Sequence, residues 1–236
     1  MSVPFQSFLT KQESIAIVGV DDLIIRSLLD REQFADPLGE AERVGISSSL
    51  WPLFGLVWPS GIQLAAQVAA RGLTSGERVL EIGCGLALAS LVAHRHGADV
   101  TASDVHPLTA AFLKANLRLN GLPPMKYRHG NWASPSAPAA RNGASTLRTV
   151  VGQYDFIIGS DVLYERDDGG VLSSFIARHA SPAAEVWVVD PDRGNRAAFN
   201  RQMLQLGFGV TDSRMDQPAV GTTLAYKGRL LRYVRT

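Results

Sequence analysis

The chain of 236 residues contains one cysteine, Cys84. A lone thiol closes no internal disulfide, which excludes a stapled secreted scaffold and leads to the expectation of a reducing, cytoplasmic setting. An excess of one charge is also missing, since 23 Lys and Arg stand against 22 Asp and Glu. A nucleic-acid binder needs a basic face to meet phosphates, so nucleic acid is not the expected partner. No apolar run reaches the roughly 18 residues of a membrane span. The stretch MSVPFQSFLTKQE lacks the basic start and apolar centre of a secretory signal. Internal repeats are absent too. What is present is ordinary globular composition, 46% hydrophobic and 19% charged, in a length that fits one α/β domain with an appendage.

Residues 14–29 read as two apolar runs split by Gly19 and the pair Asp21 and Asp22, which suggests a hairpin or a strand and a turn. Residues 30–50 are polar and turn-rich, a connecting segment or flap, so residues 1–50 are expected to form an N-terminal appendage and 51–236 the main domain. Pro59 and Ser60 open a helix whose apolar residues recur at helical spacing up to Gly72. Strand-like runs follow at 78–83, 98–104, 125–132, 154–161 and 184–190, and two more at 208–212 and 229–234. Helical segments separate most of them, at 86–96, 107–120, 168–180 and 194–206. The stretch 133–148, rich in Ala, Ser and Pro, reads as a surface loop. Strands alternating with helices predict a Rossmann-like, doubly wound α/β fold: a mostly parallel seven-stranded sheet with helices on both faces.

The segment VLEIGCGLAL (79–88) runs from a strand through closely spaced glycines into a helix. Glycines there permit a tight turn and a close approach of backbone to ligand. A dinucleotide fingerprint would need a glycine at position 88, which is Leu88. Glu81 stands beside the turn, where a carboxylate repels a pyrophosphate but suits a ligand carrying an ammonium and a sulfonium. S-adenosylmethionine therefore fits better than a nicotinamide cofactor. Asp104 ends the next strand, the position from which an acidic side chain accepts hydrogen bonds from ribose hydroxyls.

Other features carry less. His94 and His96 lie two apart on a helix and face different ways, a poor metal pair, so no metal is expected. Cys84 reads as packing. Trp51 and Trp58 serve either as a lip to the site or as core. The tail from Arg193 carries eight basic and two acidic residues and reads as a solvated sheet edge.

Across residues 53–199 the sequence resembles the seven-β-strand class I methyltransferases, and among them the protein lysine methyltransferases of methyltransferase family 16. The parts that carry the resemblance are VWPSGIQLA (57–65), VLEIGCGLAL, VTASDVHP (100–107), LKANLRLNG (113–121), the pair Asn131 and Trp132, and YDFIIGSDVLYE (154–165). The resemblance implies that Glu81, Gly83, Gly85 and Asp104 bind S-adenosyl-L-methionine. It places Trp132 by the adenine, with Trp58 and Ser160 near the cofactor. The segment Asp161 to Tyr164 matches the D-x-x-Y motif, so Asp161 and Tyr164 are the implied catalytic pair, facing the acceptor amine. One departure is Ala87, where the group usually has a third glycine.

Methyl transfer from a sulfonium is a displacement in which the enzyme holds nucleophile, methyl and sulfur in line. A lysine acceptor must also lose a proton, because its unperturbed pKa is about 10.4. The leading expectation is a protein N-methyltransferase acting on a lysine of a protein substrate, with histidine or another protein nitrogen as a variant. The alternatives are a small-molecule methyltransferase and a non-catalytic S-adenosylmethionine-binding module.

Overall fold

The computed structural model describes residues 8–133, 148–219 and 225–235. Its first elements are the strands β1 (Thr10–Ile15) and β2 (Leu23–Leu28), an antiparallel hairpin. The hairpin begins four residues before the apolar runs suggest, because β1 is mostly solvent-facing and holds few apolar side chains. On β2 Leu23, Ile25 and Ser27 alternate inward, and Leu28 at the end of the strand is fully buried as well. Leu23, Ile25 and Leu28 belong to the same apolar cluster as Trp51, Phe54 and Phe112, so the hairpin shares a core with the rest of the chain. Helix α1 (Glu40–Arg43) is a single turn, and a 3-10 turn spans Trp51–Gly55.

Helix α2 (Pro59–Arg71) starts on proline and stops at Gly72, whose φ of 70° no L side chain adopts easily. The stretch Trp51–Arg71 is long and apolar enough to cross a membrane on those two counts. Its Trp51, Phe54, Leu64, Ala65 and Val68 are instead buried in the core of this domain.

Alternation of β3 (Arg78–Ile82), α3 (Leu88–Arg95), β4 (Asp99–Asp104), α4 (Thr109–Leu119) and β5 (Lys126–His129) builds one half of the sheet. The other half holds β6 (Tyr154–Ser160), α5 (Val171–His179), β7 (Ala180–Asp190), α6 (Arg196–Gln205), β8 (Phe208–Arg214) and β9 (Arg229–Arg235). The strand order is β5-β4-β3-β6-β7-β9-β8. Neighbours from β5 to β7 are parallel, and β9 runs antiparallel to both β7 and β8. The predicted doubly wound sheet is therefore present. The surface loop expected at 133–148 lies, for residues 134–147, outside the described residues.

Side chains alternate across the sheet. Val79, Val100, Phe156 and Val189 face a cluster supplied by α2, α3, α4 and the hairpin. Leu80, Ile82, Ile157 and Val188 face the opposite cluster, supplied by α5 and α6. The chain winds outward from β3 through β4 to β5, then returns to lay β6 on the other flank of β3. A doubly wound sheet opens its crevice where that reversal occurs, at the carboxyl ends of the two central strands. Here those ends are Ile82 and Ser160.

Candidate active site

Between β3 and α3 the chain makes a tight bend. Gly83 and Gly85 have φ of 57° and 48°, and Ala87 is left-handed as well, at 61°. A β-carbon on Gly83 would lie 3.1 Å from Cγ1 of Val162 and 3.6 Å from the Trp132 ring; one on Gly85 would lie 3.0 Å from the carbonyl oxygen of Phe54. The bend is thus lined by bare backbone and roofed by Trp132 on one side and the 51–55 turn on the other. Phe54 is fixed there by stacking on His106, with ring centroids 3.7 Å apart.

The two carboxylates assigned to this region do different work. Glu81 is buried on the α3 side of the sheet, where its Oε2 accepts the N–H of Ser90 at 2.8 Å. Ser90 is in the first turn of α3, so Glu81 satisfies a backbone donor that the cap residue Ala87, which has no polar side chain, leaves open. Burial pushes the Glu81 carboxyl up to about 7. Asp104 ends β4, and its two oxygens accept the N–H groups of Gly85 at 2.9 Å and of His106 at 2.8 Å. It clamps the glycine bend to the β4–α4 turn. Burial raises its pKa, and those two N–H groups act in the opposite sense. Each carboxylate oxygen has two lone pairs, so Asp104 can still accept ligand hydroxyls.

Further bonds tie the strand ends together. The Cys84 N–H donates to the Ser103 carbonyl at 2.9 Å and the Gly130 N–H to the Asp104 carbonyl at 3.0 Å. Cys84 is buried, and burial holds its thiol well above the usual range, in keeping with a packing role. Trp132 follows β5 and is half-buried, with its Nε1 buried and unpartnered. A buried N–H without an acceptor is costly, and a ligand oxygen or nitrogen could satisfy it. Trp58 caps α2 and donates its Nε1–H to the Leu53 carbonyl at 2.8 Å. The first turn of α2 meets the site at Gly61, where a β-carbon would lie 3.6 Å from Oγ of Ser160. Trp51 is core, 1% exposed.

At the end of β6, Asp161 is left-handed, with φ of 54°, a conformation that costs a non-glycine residue roughly 1–2 kcal/mol. Its N–H donates to the Val189 carbonyl at 2.8 Å, so the strained residue is held by β7. Both carboxylate oxygens are taken by Arg193, from Nε at 2.8 Å and Nη2 at 2.6 Å. Tyr164, 48% exposed, turns instead into a groove of about 580 Å³ walled by Trp132, Val162, Val171, Asn195 and Arg201 among others. The structure therefore gathers Glu81, Gly83, Gly85, Asp104 and Trp132 around one bend, with Ser160 and Asp161 on the adjoining strand end. Tyr164 lines the adjoining groove and lies within electrostatic reach of Asp161.

Several arginines of the basic tail read as a solvated edge form ion pairs. Arg193 binds Asp161, Arg196 binds Asp192 and Asp212, and Arg229 binds Asp212. Arg193 and Asp190 escaped the sequence reading. The signal for them was DPDRG (190–194), placed directly after a strand that ends at the binding edge of the sheet.

Solved structures share this arrangement of strands and helices. A methyltransferase from Pyrococcus furiosus superposes with a TM-score of 0.54 at 21% identity, covering 76% of this chain and 87% of its own. Magnesium protoporphyrin IX methyltransferase from Synechocystis PCC 6803, solved with bound SAM, gives 0.55 at 20% identity over 75% and 78%. Fold and glycine bend together define a Rossmann-like α/β chain of the class I methyltransferase fold. The lysine methyltransferase family model matches residues 52–203, more than half of the chain, and the chain belongs to that family.

Among curated relatives, the electron transfer flavoprotein beta subunit lysine methyltransferase of Xenopus laevis is 26% identical over 151 residues, 61% of this chain and 56% of the relative. Protein N-lysine methyltransferase METTL21A of Xenopus tropicalis is 28% identical over 181 residues, 71% and 75%. The human histone-arginine methyltransferase METTL23 is 26% identical over 141 residues, 56% and 67%. The chain spans about half the length of the flavoprotein-directed relatives.

Proposed function

We propose that this chain is an S-adenosylmethionine-dependent methyltransferase that acts on the side-chain amine of lysine in a protein substrate. The observation that carries the reading is the carboxylate of Asp104 gripping the left-handed glycine bend, next to a strained Asp161 on the neighbouring strand end. The family membership and the names of the relatives support the lysine acceptor. METTL23 keeps another protein nitrogen, the arginine guanidinium, as the second reading.

The residues present fit the cofactor. Gly83 and Gly85 leave room that a β-carbon would fill, Asp104 keeps lone pairs for ribose hydroxyls, and the buried Nε1 of Trp132 lacks an acceptor. When bound, S-adenosylmethionine supplies an electrophilic methyl group on a sulfonium. Gly83, Gly85, Asp104 and Trp132 would hold it, with Ser160 and Trp58 at the margin. Glu81 acts on the cofactor at one remove, by fixing α3 and the bend before it. Asp161 would accept a hydrogen bond from the acceptor nitrogen and orient its lone pair along the line of transfer. Tyr164 would wall the approach for the substrate protein. Cytoplasmic placement, supported by the lone buried thiol, belongs to the same proposal.

Tritiated S-adenosylmethionine incubated with the purified chain and a cell lysate tests the reading. Label should enter protein, and mass spectrometry should find it on lysine. Asp161→Ala should abolish transfer while calorimetric titration still shows cofactor binding. Label confined to small molecules, or undiminished transfer by Asp161→Ala, would overturn the assignment.

A further inference from the structure

Asp161 is not a free anion awaiting an ammonium. Arg193 meets it in a two-pronged bond, the strongest geometry a guanidinium offers a carboxylate. The loop that presents Arg193 is built for the purpose. Asp190, fully buried at the end of β7, turns the chain by accepting the Asp192 N–H at 3.1 Å. Asp192 and Gly194 then take positive φ, 66° and 91°. Asn195 closes the loop by donating to the Leu163 carbonyl at 2.8 Å, inside the D-x-x-Y segment itself. The loop after β7 and the loop after β6 are thereby fastened on both sides of the ion pair.

The geometry points to Arg193 as a positioning residue. By holding both oxygens of Asp161 it cancels the charge that would retain a lysine ammonium, so the site takes its acceptor as the neutral amine. This rests on the proposed role of Asp161 as partner of the acceptor nitrogen. A lone carboxylate within a few ångströms would favour the protonated amine and work against transfer, whereas a carboxylate already paired does not. Its remaining lone pairs still accept an N–H from the neutral amine. The proton is left in solvent before binding. In transfer the nitrogen lone pair forms the N–C bond as the C–S bond breaks and its electrons pass to sulfur, and the methylated ammonium then loses a proton to solvent.

The charged and titratable groups around the pair are Asp190 on its own loop, Tyr164 beyond Asp161 with Glu165 and Asp104 acting on it, and Tyr226 from the segment before β9; Asp192 stands beside Asp190 and is held by Arg196 and Arg229. Burial holds Tyr164 and Tyr226 above the ordinary tyrosine range, so both stay protonated to about pH 9.5.

The test uses the full chain loaded with S-adenosylhomocysteine, whose sulfur is uncharged, so that no sulfonium opposes a cation. n-Butylamine, the lysine side chain in miniature, is titrated in while the backbone amide resonances of Asp161 and Tyr164 are followed. In the wild type, affinity should follow the neutral fraction of the amine and rise more than about tenfold between pH 8 and 9.5. Arg193→Gln should bind more tightly at pH 8 and show a flat profile, because the unpaired carboxylate takes the ammonium. Arg193→Lys, which keeps the charge, should restore the rise. A flat wild-type profile, or an Arg193→Gln profile that still follows the neutral fraction, overturns the inference and leaves Asp161 as the acceptor's partner. If Asp161→Asn binds butylamine as the wild type does, the acceptor site itself is misplaced and the inference falls with it.

Discussion

Asp104 accepts the N–H of Gly85 on one oxygen and the N–H of His106 on the other, at 2.9 and 2.8 Å, and so joins the glycine bend to the turn that starts the next helix. Asparagine is nearly the same shape, yet its amide can satisfy only one of these donors and points its own N–H groups at the second. Leaving a buried donor facing another donor costs about 1–3 kcal/mol. Asp104→Asn should therefore lower the urea midpoint with an unchanged slope. It should also weaken S-adenosylmethionine binding at least about tenfold by calorimetric titration, since ribose contacts and the bend itself both suffer. Cofactor affinity equal to that of the wild type would detach Asp104 from the ligand and leave it a structural clamp.

Glu81 gives the apo protein a pH signature. Its folded carboxyl titrates at about 7, above the ordinary value of 4.5, so between those two pH values the folded chain holds a proton that the unfolded chain has released. Stability falls as pH rises through that window, by about 3 kcal/mol in all, and stays low above it. His106 acts in the opposite sense. Burial lowers its pKa from 6.5 to about 3, so its contribution is present above 6.5 and is lost as pH falls. The two windows overlap, and burial shifts Asp104, Asp190, His129 and His179 as well, so the wild-type curve shows only the sum of all of them. The difference between Glu81→Gln and wild type isolates Glu81, because glutamine still accepts the Ser90 N–H but cannot ionise. That difference should grow in favour of the variant from pH 4.5 to 7 and level off. A constant difference would mean that Glu81 is ionised in the folded protein throughout.

Ala87 occupies the place of a glycine and shows the strain, with φ of 61° in a fully buried position. Releasing a left-handed alanine recovers roughly 1–2 kcal/mol, while removing its buried methyl loses about 0.8 kcal/mol. The first effect wins narrowly. Ala87→Gly should raise stability by up to about 1 kcal/mol, a shift of about 2–4 °C in Tm for a chain of this size. A fall in Tm would show that the methyl packs better than its area suggests.

Sequence pattern reveals what one segment does on its own, and most of this fold is of that kind. The strand, glycine bend and helix at 79–96 declare themselves by composition, as do Pro59 at the start of α2 and Gly72 at its end. Asp161 was legible from its place after β6. Its partner was not, because Arg193 lies 32 positions away on another loop and resembles any basic residue on a solvated edge. The opposite error befell β1, a mostly polar strand that pairs with β2 and sends only Ile15 into the core. Tyr164 illustrates a further limit. The motif pairs it with Asp161, but only the structure shows that Arg193 binds the Asp161 carboxylate while Tyr164 lines an open groove.

The sequence also hid how the hairpin is held. Asn116 on α4 and Asn120 at its C-terminal cap, four positions apart, act as a short surrogate strand along the outer edge of β2. Asn116 accepts the Arg26 N–H at 2.8 Å and donates to the Arg26 carbonyl at 3.4 Å; Asn120 does the same for Ile24, at 3.0 and 2.8 Å. An open strand edge left without partners costs free energy in proportion to its burial. Asn116 is fully buried and the Asn120 bonds lie near solvent. Water can replace Asn120 but not Asn116. Asn116→Ala should therefore cost about 1–3 kcal/mol, and Asn120→Ala less than about 1 kcal/mol. Amide hydrogen exchange separates this from a general loss of stability, because Arg26 should lose protection in Asn116→Ala before the amides of β3 do. Equal costs for the two substitutions, or protection of Arg26 that falls only with the whole sheet, would mean that apolar contacts of Leu23, Ile25 and Leu28 hold the hairpin unaided.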